Sequence, residues 1–146
     1  MRRLAASLCA FVALATGLSA RADGLDQVRR AFAQAIYQDS SGDINLDAPQ
    51  PLLRAVVVLR VRLDERGRWA AEVMRENDEQ PELTRKALAS VAHLAAADVP
   101  STAAGQLHRE GFVEVWLFQN DGRFALKTLA LPQRRLQNRM LRQTGG

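Results

Sequence analysis

Hydrophobic and polar residues alternate along Val56–Arg75 (VVVLRVRLDERGRWAAEVMR), on either side of a polar break at Asp64–Gly67. The alternation predicts two strands, and Glu65–Arg66–Gly67 supplies a short loop in which Gly67 takes the left-handed position where a side chain clashes. That loop sets the register. Asp64 faces Arg68, Leu63 faces Trp69, Val61 faces Ala71 and Leu59 faces Val73, which gathers the large apolar residues of those pairs on one face. The other face pairs Arg62 with Ala70, Arg60 with Glu72 and Val58 with Met74, and near its tip it can meet water. A lone hairpin is marginally stable at best. Each large apolar side chain contributes roughly 1.5–3 kcal/mol when buried, so the dry face requires a cover from elsewhere in the chain.

The period changes to three and four on both sides of this hairpin. Leu25, Val28, Phe32 and Ile36 form one stripe and predict a helix over Asp23–Gln38, with Asp23 or Asp26 near its start. Asp39–Pro51 is rich in turn-formers and reads as a loop. The run Glu76–Pro81 combines a cap candidate, acids for a first turn and a proline, and predicts a helix from Pro81 to Ala97 with the stripe Leu83, Ala87, Val91, Leu94 and Ala95. Val99–Gly111 reads as loop. Phe112–Phe118 and Arg123–Leu131 then predict a second hairpin about Asn120–Asp121–Gly122, with Phe118 facing Phe124, Trp116 facing Leu126 and Glu114 facing Thr128. Its reverse side is also apolar, through Val113, Val115, Leu117 and Leu129. The expected fold is α+β in the order α-β-β-α-β-β, an antiparallel sheet of two hairpins with two helices packed on one face.

Residues 1–22 stand apart from this pattern. Arg2 and Arg3 precede an uncharged run from Leu4 to Ala20, and Ala20–Arg21–Ala22 is a small-x-small site. Those are the three parts of a signal peptide, with cleavage expected after Ala22 and the periplasm as destination; the alternative is an uncleaved anchor, for which the run is short. Removing the leader changes the charge arithmetic. It carries three Arg and no acid, so the formal charge of +4 falls to +1. Cys9 departs with it, leaving no thiol for a disulfide or a cysteine metal site. Residues 23–133 are expected to form one α+β domain, and 134–146 a flexible basic tail carrying Arg134, Arg135, Arg139 and Arg142.

Three segments together resemble a known family. VRRAFAQAIYQ, VVVLRVRLDERGRWAAEV and ELTRKALASVAHLAAADVP, spread over Leu25–Pro100, are similar to the C-terminal domain of TonB and TolA proteins, with Phe112–Phe118 in the place of that family's closing strand. The resemblance implies a periplasmic module that contacts outer-membrane receptors or partner proteins and captures an extended peptide along a sheet edge. No long Pro-rich spacer separates the N-terminal hydrophobic segment from the domain, so an energy transducer spanning the periplasm is not expected.

Candidate chemistry is sparse. His93 falls near the end of the second helical stripe and His108 in a loop, too few ligands for a metal site. Glu76, Asp78, Glu79 and Glu82 lack the alternating acids and central glycine of a calcium loop, and capping accounts for them. No nucleophile elbow surrounds a serine, and no glycine loop cradles a phosphate. The expectation is therefore a protein without catalytic, cofactor or metal residues that binds a periplasmic or outer-membrane protein or peptide. Nucleic acid is not expected, and a membrane only through an uncleaved leader or the basic tail. The alternatives are a homodimeric structural protein and a small exported hydrolase using His93 or His108. Val113, Val115, Trp116, Leu117, Phe118 and Phe124 are the candidate partner-binding residues. Trp116, Phe118 and Phe124 form either core or an interface anchor, and the strand containing Val115 is the expected pairing edge.

Overall fold

A computed structural model describes residues 13–95 and 98–131, with side chains described from residue 23 onward. The expected leader up to residue 12, the basic tail 134–146 and the expected helix end at Ala97 lie outside the described residues. In chain order the elements are α1 (Ala13–Asp39), a 3₁₀ turn (Ser41–Asp43), β1 (Ala55–Leu63), β2 (Trp69–Arg75), α2 (Pro81–Ala92), α3 (Ser101–Arg109), β3 (Phe112–Phe118) and β4 (Phe124–Leu126). The four strands form one antiparallel sheet in the order β2-β1-β3-β4. The architecture is α+β, and three helices accompany the sheet rather than two.

The alternation read from the chain is the one that folds. Val57, Leu59, Val61 and Leu63 of β1 are buried, together with Trp69, Phe112, Trp116, Phe118, Phe124 and Leu126 of the other strands. Val28, Phe32 and Ile36 of α1 and Leu83, Ala87 and Val91 of α2 supply the cover, as their spacing predicts. Phe32 is the main bolt between layers. Its ring stands edge-on to Trp69 at 5.0 Å and to Phe112 at 5.3 Å, the favourable geometry for aromatic pairs. On the α2 side the Trp116 indole N–H donates to Ser90 Oγ (3.2 Å), whose hydroxyl donates to Ala87 O (2.7 Å). The one polar end of that buried ring is thereby satisfied.

Four departures from the sequence expectation have local causes. First, α2 ends at Ala92 because the Leu94 N–H turns back to Val91 O, a tighter closure than the α-helical one; Leu94 is left half-buried and Ala95 exposed. Second, Ser101–Arg109 is helix and not loop. Ala103 and Leu107, one turn apart, bury a short stripe against the sheet and α1, enough to offset Gly105 in the middle. Third, Val58 pairs with Arg75 rather than Met74, because a β-bulge interrupts the register between Val58 and Leu59 and leaves Met74 as the extra residue. Fourth, β4 stops at Leu126, well short of Leu131, so Glu114 and Thr128 are not ladder partners.

Gly111 joins α3 to β3 and only glycine fits there. Its φ is +65°, and a Cβ at this position would lie 2.1 Å from Val61 O. The chain therefore enters β3 pressed against the β1 backbone.

Candidate functional site

The sheet has two outer edges and they are treated differently. Outside β4 the chain forms a parallel bridge between Ile44 and Phe124, and the Asn45 N–H donates to Phe124 O (2.7 Å). Among the described residues no strand or bridge pairs with the outside of β2. The register shows which groups are left over. Asp64 N–H bonds Arg68 O, and hydrogen-bonded pairs recur at every second position. Exchange between β1 and β2 thus falls on Arg62–Ala70 and Arg60–Glu72. The main-chain N–H and C=O groups of Trp69, Ala71 and Val73 point outward. Beside them Val73 is 36% and Met74 48% exposed. The bulge at Met74 limits the regular edge to Trp69–Val73.

The face of the sheet turned away from the helices borders this edge. Val56, Val58, Val115 and Leu117 lie on it half-buried, Val113 is exposed, and Arg60, Arg62 and Glu72 give it charge. The candidate partner-binding residues consequently divide into two sets. Val113, Val115 and Leu117 are on this face. Trp116, Phe118 and Phe124 are at most 1% exposed and pack in the core, Phe118 against Phe124 at 5.5 Å. The strand that contains Val115 is an inner strand, between β1 and β4. The edge groups of Trp69, Ala71 and Val73 were not singled out from sequence, because alternation assigns faces while strand order assigns edges.

Where β4 stops, a side chain finishes the ladder. Glu114 is fully buried, and its Oε1 accepts hydrogen bonds from Val115 N–H (2.9 Å) and Thr128 N–H (3.3 Å). Val115 O still receives Lys127 N–H (3.0 Å), but the Leu129 and Ala130 N–H groups turn back to Leu126 O. The carboxylate stands in for the strand that is no longer there. Tyr37 closes the same corner, its hydroxyl oxygen accepting Leu126 N–H (3.1 Å). Burial raises the Tyr37 pKa above its ordinary 10.0; the Leu126 hydrogen bond opposes this and the Glu114 charge adds to it.

Titratable groups elsewhere do not converge. His93 caps the C-terminus of α2 and His108 sits on α3, both exposed. Among the described residues no group of three or more His, Cys, Asp or Glu is placed to hold a metal ion. An apolar hollow of about 380 Å³ beside Trp69, lined by Val28, Phe32, Leu94 and Val99, has only Gln27 and Asp98 as polar lining. Lys86 ties α2 to the loops, donating to Asp43 Oδ1 (2.7 Å) and Gly122 O (3.0 Å), and Arg54 reaches Glu82 at 3.0 Å. No described helix is long and apolar enough to cross a membrane. No family model matches the chain, and neither a curated protein nor a solved structure matches it.

Proposed function

We propose that this chain is a non-catalytic periplasmic protein-interaction module that captures an extended segment of a partner protein along the outer edge of β2. The observation that carries the reading is the asymmetry of the two edges. β4 is short and bridged by Ile44, whereas among the described residues no strand neighbours the main-chain groups of Trp69, Ala71 and Val73 on the outside of β2. Such a row of donors and acceptors is a template for strand addition. Main-chain bonding supplies affinity, and the flanking side chains Val73, Met74 and Glu72 supply selectivity. The compartment rests on residues 1–22, and the likeness of three segments to the TonB and TolA C-terminal domain agrees with a receptor- or partner-contacting role without energy transduction.

The test separates edge from fold. Ala71→Pro deletes one outward N–H and no ladder bond, a position where proline is tolerated in an edge strand. Capture of the partner recovered with the wild-type chain from a periplasmic extract should be lost in Ala71→Pro, with the circular dichroism spectrum kept. Full capture by a folded Ala71→Pro variant overturns the edge reading.

A further inference from the structure

We infer that the hollow beside Trp69 is a ligand site for a small apolar molecule carrying a protonated amine at one end. The site uses the Trp69 ring and not the main-chain groups of the β2 edge, so it stands or falls apart from the proposed function.

The hollow follows from where α2 stops. The Leu94 N–H closes on Val91 O, the helix ends, and Leu94, Ala95, Val99 and Pro100 become a wall of the hollow instead of continuing the helix. From α1 come Val28, Ala31, Phe32 and Ala35. Two of these four are alanines, which leave space that longer side chains would close. The Trp69 ring, edge-on to Phe32 at 5.0 Å, completes an aromatic corner. The volume of about 380 Å³ lies in the range of small-molecule pockets. So does the make-up, an apolar and aromatic lining with very few polar groups.

Charge at the mouth selects the kind of ligand. Among the described residues lining the hollow Asp98 is the only charged one, and Gln27 brings the only side-chain amide. Asp98 is exposed and, among the described residues, in no ion pair. The charged residues of α1 near Gln27, namely Asp26, Arg29 and Arg30, line a different cleft with Lys127 and Thr128. No cation therefore shares the hollow with Asp98. An ammonium group is attracted there and a carboxylate repelled, and the Gln27 amide oxygen can accept a further ammonium hydrogen. The Phe32 and Trp69 rings take the apolar body of the same molecule and favour a cation beside them.

Titrating the purified full-length chain with 2-phenylethylamine and, separately, with phenylacetate tests the site, because the probes share a ring and a reach and differ in the sign of their charge. The chain has 2 tryptophans, so the indole N–H resonance of Trp69 reports the hollow and that of Trp116 the core. The amine should shift the Trp69 resonance with the millimolar dissociation constant of so small a probe and leave Trp116 in place. Phenylacetate should bind about tenfold more weakly, since attraction and repulsion at an exposed carboxylate are each modest. Asp98→Asn, at an exposed position, should remove the preference and keep weak binding of both probes. Ala31→Phe, at an exposed helix position, fills the mouth and should abolish both. Equal affinity of the wild type for the two probes, a preference that survives Asp98→Asn, amine binding that survives Ala31→Phe, or no Trp69 shift at all overturns the site. Circular dichroism checks each variant, and if Ala31→Phe does not fold, the Asp98→Asn comparison decides alone. The edge reading is judged separately, by capture in Ala71→Pro.

Discussion

In both hairpins an aspartate carboxylate grips one arginine twice. Asp64 accepts the Arg68 main-chain N–H (2.8 Å) and its Nε–H (3.1 Å); Asp121 accepts the same two groups of Arg123 at 2.9 and 2.7 Å. In both a glycine follows in the left-handed region, Gly67 at φ +71° and Gly122 at +81°. The strands that leave these matching turns are nevertheless unequal. β2 runs from Trp69 to Arg75 and ends as an open edge, while β4 covers only Phe124–Leu126 and is bridged from outside. The difference lies in what each turn hands its chain to. Among the described residues no strand covers β2, which continues through the bulge at Met74 to Arg75. β4 meets a buried Glu114 that takes over two backbone donors, and an Ile44 that closes its outer side. Turn chemistry thus sets where a hairpin begins, and tertiary neighbours set how far it extends and whether its edge stays open.

The largest effect is expected where the second hairpin docks on the first. Gly111→Ala forces a Cβ onto Val61 O in a left-handed backbone and should cost about 3–5 kcal/mol, read by denaturant unfolding. A loss below 1 kcal/mol would mean that β3 does not approach β1 this closely. Next comes Glu114→Ala, which leaves the Val115 and Thr128 N–H groups without an acceptor and should cost about 2–3 kcal/mol. Glu114→Gln keeps an acceptor oxygen and should lose less than half of that, so equal losses would deny the carboxylate its capping role.

The two turns should respond alike and less severely. Gly67→Ala and Gly122→Ala meet open space or a flexible arginine, so only backbone strain acts, about 1–2 kcal/mol each. A wide gap between them would break the equivalence of the turns. The smallest effect is pH-dependent. Hydrogen bonds from Arg68 hold the Asp64 pKa below its ordinary 3.8, and those from Arg123 do the same for Asp121. A lowered folded-state pKa contributes stability above the unfolded value that is lost as pH falls through the folded one. The melting-temperature gap between wild type and the Asp64→Asn, Asp121→Asn double variant should therefore be open at pH 6 and narrow progressively as the pH falls below the ordinary 3.8. A gap that widens in acid reverses the sign and contradicts the assignment.

The first hairpin was legible in the chain because its signals are local: a period of two, an Asp-to-Gly loop, and apolar partners that fall on one face in a single register. The stripes of α1 and α2 were legible for the same reason. The far end of the second hairpin was not, since Leu129 and Leu131 continue the apolar alternation and nothing near them announces that Glu114 will cap the ladder from the core side. α3 was hidden by weakness of signal; Ala103 and Leu107 are its only buried residues, and Gly105 reads as loop. The candidate site was legible only as a kind. An open edge was expected, but it was expected on β3, whose apolar reverse face drew attention, whereas the order β2-β1-β3-β4 makes β3 an inner strand. Trp116, Phe118 and Phe124 illustrate the limit of composition, since a cluster of rings has the same sequence whether it faces core or partner.

Residue-resolved amide hydrogen exchange on a dilute sample tests most directly whether β2 is the open edge. The amides of Ala70 and Glu72, which bond β1, should be strongly protected, Ala71 and Val73 should exchange near the rate of unstructured peptide, and Val115 should be protected by Glu114. Protection at Ala71 and Val73 equal to that at Ala70 and Glu72 in the dilute chain would show that the edge is already paired, and the account of what this domain offers a partner would be wrong.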